Sequence, residues 1–371
     1  MKKRKLLIAL LCGALVCLPL AGCNNKNAAS GTDSSVQSEV SEDAGEQNSS
    51  DSSQEYTSDV FAMDTYMTLT AYGENAQEAV EAGIAEIQRL DDLLSTGKDT
   101  SEVAQINANG GGVLSEDTDY LVKRALDIYQ STNGAFDISI YPVMQLWGFT
   151  TGNFAVPSES DLAAKLALVD AGKIILSEEN GQTSISLPEG MEIDLGGIAK
   201  GYTSGRVMDV MKSYGIKSAV INLGGNAHVL GNKTDGSQWK VGIQDPEDEN
   251  GYLGGVSVTD KAIITSGGYE RYFVGDDGEV YWHIIDPATG APARSGLISV
   301  TVIGDRGVVC DALSTALFVM GLDKAAEYWR RYGDFEAVFV AEDGSVAITS
   351  GLQDCFTLAD GYTDRPLMVI D

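Results

Sequence analysis

Met191-Glu192-Ile193-Asp194-Leu195-Gly196-Gly197-Ile198-Ala199-Lys200-Gly201-Tyr202 is the stretch around which the rest of the chain is organised. Apolar and acidic residues alternate over Met191–Asp194, which predicts a strand, and the apolar residues after the glycine pair are spaced as in a helix. A glycine pair at such a junction lets backbone N–H groups approach a ligand, and the helix N-terminus favours phosphate. A tight strand-to-helix turn that binds nothing gives the same pattern, so both interpretations stay open.

Two more glycine pairs follow predicted strands. Gly224-Gly225 comes after Ser218–Leu223, and Gly267-Gly268 comes after Ala262–Thr265. None of the three pairs belongs to a GxGxxG sequence or a Walker loop, so the common nucleotide-binding motifs do not apply. The glycines therefore predict close backbone approaches without identifying a ligand.

The elements around this centre predict the fold class. Strands and hairpins are expected at Val60–Tyr72, Lys173–Ser177, Thr183–Leu187, Met191–Asp194, Ser218–Leu223, Trp239–Ile243, Val256–Thr259, Ala262–Thr265, around a turn at Gly275–Gly278, at Leu297–Ile303 and over Phe335–Thr349. Helices are expected after a capping box at Asn75 and Glu78, at Ser101–Asn107, Asp117–Thr132, from Leu162, after Gly197, and at Val308–Met320 and Lys324–Tyr332. Because helices are inserted among antiparallel-looking strands, we expect an α+β fold with mixed or antiparallel sheets, in one globular domain over residues 60–371.

Residues 1–22 have the form of a secretory signal. A basic start at Lys2–Lys5 precedes an apolar run of 15 residues, Leu6–Leu20, which is too short for an ordinary membrane span. Leu20-Ala21-Gly22-Cys23 resembles a lipobox, which predicts a lipoprotein with a lipid such as palmitate on Cys23; a plain cleavage site with an incidental cysteine is the alternative. Residues 23–59 are polar, which predicts a disordered tether. We therefore expect an extracytoplasmic protein anchored to a bacterial cell membrane.

The charge of the chain excludes several classes of function. The sequence has 25 Lys and Arg against 54 Asp and Glu, and without residues 1–22 the balance becomes 21 against 54, a net charge of −33. Such a chain repels nucleic-acid backbones. Its two histidines, His228 and His283, cannot form a His-rich zinc site, and no Cys-x-x-Cys pair replaces them. An anionic substrate would therefore need a divalent cation.

Polar side chains within predicted apolar elements are candidates for chemistry. Asp311 and Thr315 are four residues apart in a predicted helix, so their oxygens face the same way and suit Mg²⁺, although a buried polar pair is the alternative. His283 lies in a β-like run, and Asp286 is expected to organise the turn at Pro287. Cys310 and Cys355 are compatible with a disulfide or with buried thiols.

Nine stretches together carry a resemblance to a known family. In order they are Phe61–Thr65, Leu94–Thr96, Gly134–Asp137 leading to Leu146–Phe149, Asp194–Tyr202, Asn222–Asn226, Trp239–Pro246, Thr265–Gly267, His283–Gly290 and Asp311–Thr315. They resemble the ApbE family of FAD:protein FMN transferases over about residues 60–321. The resemblance implies an ApbE-like fold and an enzyme that uses FAD as a substrate.

The resemblance also implies site residues. The FAD contacts it implies are Met63, Ala135, Phe136, Asp137, Asp194, Lys200 and Ile285. The Mg²⁺ ligands it implies are the side chains of Asp311 and Thr315 and the backbone carbonyl of Gly197. His283 is our candidate for accepting the hydroxyl proton, with Asp286 in reserve. This chain departs from the family pattern at Asp64, where glycine is common, at Gly97, where an aromatic residue is common, and at Gly268, where an acidic or polar residue is common.

The implied reaction transfers the FMN moiety of FAD to a Ser or Thr hydroxyl of an exported flavoprotein and releases AMP. The acceptor is expected to be a separate protein, because this chain has no Ser/Thr-Gly-Ala-Thr sequence of the acceptor type. Two alternatives stay open: hydrolysis of FAD to FMN and AMP at the same site, and a lipoprotein that binds FAD without catalysis.

Overall fold

The computed structural model describes residues 54–371, so the predicted signal peptide, Cys23 and the tether as far as residue 53 lie outside the described part. Its strands are β1 Glu55–Ala62, β2 Thr65–Tyr72, β3 Gly111–Val113, β4 Ile175–Glu179, β5 Gln182–Ser186, β6 Ser218–Leu223, β7 Asn226–Leu230, β8 Trp239–Asp245, β9 Asp248–Val258, β10 Ala262–Gly267, β11 Tyr272–Val274, β12 Val280–Trp282, β13 Leu297–Gly304, β14 Glu336–Ala341, β15 Val346–Thr349, β16 Phe356–Leu358 and β17 Leu367–Ile370.

Its helices are α1 Ala76–Leu94, α2 Glu102–Asn109, α3 Glu116–Ser131, α4 Tyr141–Trp147, α5 Glu159–Leu166, α6 Gly196–Ser213, α7 Gly307–Met320 and α8 Leu322–Tyr332. Within residues 54–371, none of them combines the length and apolar character that a membrane span requires. Cys310 and Cys355 are both free thiols, and Cys310 is buried. In the structure these two cysteines are therefore thiols and do not form a disulfide.

A nine-stranded sheet forms the centre of the described chain, in the order β1-β2-β6-β7-β10-β13-β14-β15-β17. Its neighbouring strands are antiparallel except β15 and β17, which run parallel. Smaller sheets are β16-β9-β8, β3-β5-β4 and the hairpin β11-β12. The helices are inserted between antiparallel strands, which confirms the predicted α+β fold with mixed sheets.

Both faces of the central sheet are covered. Helices α1, α6 and α7 pack on one face, and the sheet β16-β9-β8 packs on the other. Successive residues of a strand point to opposite faces, so Ile263 packs against the β8-β9 side while Ile264 packs against the helical side. This two-sided burial explains why consecutive residues of β6, β10 and β13 are buried, including Ser299 and Thr301, rather than every second one.

The N-terminal strand predicted at Val60–Tyr72 is wrong in one respect, because the structure has a hairpin there. Strands β1 and β2 pair over their full length, with Ala62 opposite Thr65. Met63 and Asp64 form the two-residue turn with φ of 47° and 59°, the left-handed conformation that tight hairpins require. Neither residue is a glycine or asparagine, so the turn had no sequence signal. The predicted tether also extends too far, since β1 begins at Glu55.

The strand predicted at Met191–Asp194 is also wrong. The backbone of Ile193 bonds the side-chain amide of Asn107 instead of a neighbouring strand, through N–H to Oδ1 at 2.7 Å and Nδ2 to the carbonyl at 2.8 Å. The N–H of Asp194 donates to the carbonyl of Ile138 at 2.8 Å. One asparagine thus replaces a sheet partner and holds the entry to α6 in place.

The capping box predicted at Asn75 does not form, although α1 begins where expected. The Asn75 side chain makes no cap bond. It donates instead to the carbonyl of Tyr214 at 3.0 Å and ties the start of α1 to the end of α6.

Helices α6 and α7 approach each other at two glycines. A Cβ at Gly201 would lie 2.2 Å from the carbonyl oxygen of Gly307, and a Cβ at Gly307 would lie 2.4 Å from that of Gly201. No other residue type fits without moving a helix, because both obstacles are backbone atoms. This contact matters for the site described below, since α6 and α7 each supply part of it.

We therefore expect Gly201→Ala to destabilise the protein by about 1–3 kcal/mol through overpacking at this crossing. Gly205 lies one turn further along α6, and a Cβ there would meet nothing within 4 Å. The matched control Gly205→Ala should leave the protein as stable as wild type or more stable by up to about 1 kcal/mol, because alanine favours helix. Urea denaturation followed by circular dichroism measures both. Equal denaturation midpoints for the two variants would contradict this account of the crossing.

Burial of His228 makes the stability of the protein depend on pH. Its side chain is buried between β7 and α6, with Nδ1 3.0 Å from the hydroxyl of Ser204, and burial lowers its pKa from 6.5 to about 4. The unfolded chain binds a proton below pH 6.5, whereas the folded chain does not until about pH 4, so stability falls as the pH drops through this range. We expect wild type to lose about 2 kcal/mol more than His228→Gln between pH 7 and pH 5, measured by urea denaturation. The same pH slope in both proteins would contradict it.

Candidate functional site

Five segments from different parts of the chain converge at the end of the central sheet. They are the first turn of α6, the middle of α7, the β6–β7 turn, the loop after β10 and the segment after β12. Charge interactions connect Lys200 with Glu270, His283 and Asp311, and connect Arg271 with Asp194 and His283. The structure therefore brings together four of the predicted residues, Asp194, Lys200, His283 and Asp311, with two that were not predicted.

Asp311 is the most completely held side chain in this cluster. Oδ2 accepts the backbone N–H of Gly201 at 2.7 Å, and Oδ1 accepts Nδ2 of Asn226 at 3.1 Å. The residue is 5% exposed, and this burial raises the pKa of its carboxyl, while Lys200 acts in the opposite direction. A buried carboxylate with no ion pair at bonding distance is a strong attractor for a cation.

The donor set around Asp311 fits a hard cation such as Mg²⁺. The N–H of Gly201, which in a regular helix would bond the carbonyl of Gly197, donates to Oδ2 of Asp311. The hydroxyl of Thr315, one turn after Asp311, lies 3.3 Å from that of Ser266. Within residues 54–371 no cluster of three or more His, Cys, Asp or Glu side chains is placed to hold a metal. One carboxylate, one hydroxyl and one carbonyl leave room for water and phosphate oxygens, as Mg²⁺ prefers.

Asp194 lies two residues before α6, and Lys200 lies at the end of the first turn of this helix. Oδ1 of Asp194 accepts the N–H of Gly196 at 2.8 Å and so caps the helix start. Burial raises the pKa of the Asp194 carboxyl, Arg271 opposes this shift and Asp64 adds to it. Lys200 forms no ion pair with a carboxylate of the described residues, so its ammonium is available to a bound anion. The positive end of the helix dipole acts in the same direction.

His283 is held as a neutral base. Its backbone N–H donates to the carbonyl of Arg271 at 3.0 Å, and its ring Nδ1 lies 3.2 Å from the same oxygen. A carbonyl only accepts, so Nδ1 carries the proton and the lone pair is on Nε2. Burial among protein atoms lowers the pKa of His283 to about 3, and the positive charges of Arg271 and Lys200 contribute to this shift to a smaller extent. The imidazole is therefore uncharged at neutral pH, and Nε2 carries an unprotonated lone pair.

Glu270 and Arg271 are functional candidates that the sequence did not reveal. Glu270 lies beside Gly225, where a Cβ on that glycine would be 4.0 Å from Oε1. Surrounding protein atoms raise the pKa of its carboxyl to about 7, with Lys200 opposing and Asp311 adding to the shift. Arg271 holds His283 and lies 3.8 Å from Asp64. Their position a few residues after Thr265-Ser266-Gly267 was the only available signal.

The side chains of two further predicted FAD contacts, Asp137 and Phe136, already interact with other residues of the protein. The carboxylate of Asp137 accepts the backbone N–H and hydroxyl of Ser139 and the N–H of Ala171. Phe136 is buried, and its ring covers Gly197, where a Cβ would be 3.0 Å from Cε2. Because both side chains are committed, an FAD contact from this segment would use the backbone.

Three further residues, Met63, Ile285 and Asp286, contribute mainly structure. Met63 is in the β1–β2 turn, with its N–H donating to Oδ1 of Asp91 at 3.0 Å. Ile285 is buried in a cluster with Trp147 and Phe149. Asp286 accepts the N–H of Ala288 at 2.9 Å, so it organises the turn at Pro287 as expected. The role of Met63 and Ile285 in binding FAD stays a prediction.

An open cleft of about 530 Å³ lies beside the ends of α3 and α7 and along α8. Of the predicted residues, only Ala135 and Asp286 line it. The other lining residues come from the end of α3 and from α7 and α8; those of α7 and α8 are Val319, Met320, Lys324, Glu327, Tyr328, Arg331 and Tyr332. The cleft is therefore not the cluster of Lys200, His283 and Asp311. The predicted residues His283, Lys200 and Asp311 lie in the cluster and not in this cleft.

The chain is similar to known proteins over most of its described length. The ApbE family model matches residues 63–339. A FAD:protein FMN transferase of Klebsiella pneumoniae is 34% identical over 281 residues, which cover 74% of this chain and 86% of that protein. One of Treponema pallidum is 31% identical over 329 residues, covering 82% of this chain and 90% of that protein.

Solved structures give the same result. The ApbE protein of Thermotoga maritima has a TM-score of 0.76 and 31% identity, and the match covers 81% of this chain and 99% of that one. The flavin transferase ApbE of Vibrio cholerae has a TM-score of 0.72 and 27% identity, with 81% and 99% covered. Sequence and fold thus agree over the residues that build the site, and the chain belongs to the ApbE family.

Proposed function

We propose that this protein is an Mg²⁺-dependent enzyme that transfers the FMN moiety of FAD to a Ser or Thr hydroxyl of another protein and releases AMP. The observation that carries the proposal is the neutral His283 in one cluster with Lys200 and the buried Asp311. A base, a fixed positive charge and a cation ligand are the groups that phosphoryl-type transfer needs.

The atoms of this reaction balance without a further reactant. The hydroxyl oxygen forms a bond to the FMN-side phosphorus of FAD, and the bond between that phosphorus and the bridging oxygen breaks. AMP leaves with the bridging oxygen. His283 Nε2 accepts the proton of the attacking hydroxyl, and Nδ1–H stays bonded to the carbonyl of Arg271, which keeps the ring in the required tautomer.

The acidic chain makes the positive groups of the cluster essential. The pyrophosphate of FAD brings negative charge to a protein whose formal charge is −29. Lys200 and the first turn of α6 attract this anion, and Asp311, Thr315 and the Gly197 carbonyl would hold the cation. A bound Mg²⁺ offsets the charge that develops on the phosphate oxygens during transfer.

We also propose that the enzyme works outside the cytoplasm, anchored to the cell membrane through a lipid on Cys23, and that its acceptor is an exported flavoprotein. The basic start, the apolar run and the cysteine in Leu20–Cys23 support this location. Mass spectrometry of the mature protein tests it, since acylation adds the mass of the lipid to a peptide that begins at Cys23.

Analysis of the small-molecule products distinguishes the three candidate functions. The protein is incubated with FAD, Mg²⁺ and a carrier protein bearing a Ser-Gly-Ala-Thr segment, and AMP and free FMN are quantified by chromatography. Transfer gives AMP without an equal amount of free FMN. Equal amounts of AMP and FMN would indicate hydrolysis, and intact FAD would indicate a binding protein; either result contradicts the proposal.

A further inference from the structure

The hairpin β11-β12 leads directly into the site and has an unusual edge. Tyr272, Phe273 and Val274 pair with Trp282, Tyr281 and Val280. The N–H of Gly275 donates to the carbonyl of Glu279 at 2.8 Å, and the N–H of His283 donates to the carbonyl of Arg271 at 3.0 Å. In an antiparallel pair, opposite residues that bond each other alternate with opposite residues that do not, and Tyr272 and Val274 belong to the second kind. The N–H and C=O groups of Tyr272 and Val274 therefore point away from β12.

The two edges of this hairpin differ. On the β12 side the guanidinium of Arg294 donates to the carbonyl of Val280 and lies 4.0 Å from the centre of the Trp282 ring. On the β11 side the outward backbone groups of Tyr272 and Val274 bond nothing in residues 54–371. Their side chains are 48% and 60% exposed. Strand β11 is only three residues long and contains neither a charged residue nor a proline, so its outward backbone groups could pair with a short extended segment.

The hairpin is rigid enough to act as a template. Phe273 stacks between Phe154 and Tyr281, with ring centres 5.2 Å and 5.3 Å apart, on the face that also carries His283. Phe149 in the same aromatic group is 6.5 Å from the His283 ring. Strand β11 begins immediately after Arg271, the residue that holds His283, so its free edge is continuous with the catalytic cluster.

We propose that the β11 edge binds an extended segment of the acceptor protein by strand addition, with the reactive Ser or Thr continuing past Arg271 into the cluster. This inference rests on the proposed transfer function. The backbone of the segment would pair with Tyr272 and Val274, which gives affinity without demanding a particular sequence. The exposed carboxylates of Asp276 and Glu279 beside the turn favour a Lys or Arg at the other end of the segment.

A pair of proline substitutions tests this edge. Val274→Pro removes an N–H that points outward and makes no bond to β12, so the hairpin is preserved while the edge is blocked. Val280→Pro is the matched control, because Val280 is directly opposite Val274 and its N–H points to the other edge. With the Ser-Gly-Ala-Thr carrier protein as acceptor, Val274→Pro should raise the acceptor KM roughly 10-fold. FAD affinity should not change, and Val280→Pro should keep the wild-type KM.

A wild-type KM for Val274→Pro, or an equal rise in Val280→Pro, would overturn the proposal. Hydrogen exchange on the wild-type enzyme gives a test that needs no variant and no turnover. A carrier with the reactive Thr replaced by Ala should slow exchange at the amides of Tyr272 and Val274, and unchanged exchange at both would also overturn it. Protection of these amides without flavin transfer would support binding at the β11 edge and contradict the transfer function.

Discussion

Asp311→Asn is expected to lower the rate of FMN transfer by about 10²–10³-fold and to raise the Mg²⁺ concentration required for half-maximal rate. Asparagine has the same shape, so the bond from the Gly201 N–H can persist at the amide oxygen. The amide lacks the negative charge that holds a cation, and its NH₂ group would face the Nδ2 donor of Asn226. The effect therefore reports on charge rather than on volume.

The matched control for this experiment is Asp305→Asn. Asp305 precedes the same helix, but its side chain is 77% exposed and pairs with Lys261 at the surface. An exposed ion pair contributes little to stability, so this variant should transfer FMN at the wild-type rate. Transfer by Asp311→Asn at the wild-type rate, with an unchanged Mg²⁺ requirement, would contradict the cation site.

His283→Gln is expected to lower kcat for transfer by about 10²–10⁴-fold while FAD binds with unchanged affinity. Glutamine can still donate to the Arg271 carbonyl, but its amide cannot accept a proton at neutral pH. His228→Gln is the natural control, because His228 is the other histidine of the chain and is buried away from the cluster beside Ser204. At pH 7.5 that variant should transfer at the wild-type rate.

The protonation state of His283 can be measured independently of activity. Because its pKa is lowered to about 3, its imidazole should stay neutral from pH 8 down to pH 5, as observed by nitrogen NMR of the two histidines. An imidazole that becomes charged near pH 6.5 in the folded protein and disappears in His283→Gln would contradict the assigned base. So would a His283→Gln variant with the wild-type kcat.

The local parts of this site were predictable from the sequence. Asp311 and Thr315 share one face of a helix because their spacing is four, and Asp286 organises its turn because aspartate before proline commonly does so. The glycine pair at Gly196 marks the start of α6 as expected. Each of these inferences uses residues only a few positions apart.

The parts that failed depend on distant partners. The segment at Ile193 reads as a strand, but Asn107, 86 residues away in sequence, takes its backbone bonds. His283 is held by Arg271 across a hairpin, and Glu270 gains its raised pKa from burial among surrounding atoms and from the charge of Asp311 on α7. Residue periodicity carries no information on such contacts. The turn at Met63 was missed for a different reason, since it has no glycine or asparagine to mark it.

The intact mass of the acceptor tests the central claim most directly. The enzyme, FAD and Mg²⁺ are incubated with the Ser-Gly-Ala-Thr carrier protein and with its Thr→Ala variant, and both carriers are measured by mass spectrometry. The account predicts that the first carrier gains one FMN less one water, with an equimolar release of AMP, and that the variant gains nothing. An unchanged mass of the first carrier, whether FAD is hydrolysed or intact, would contradict it.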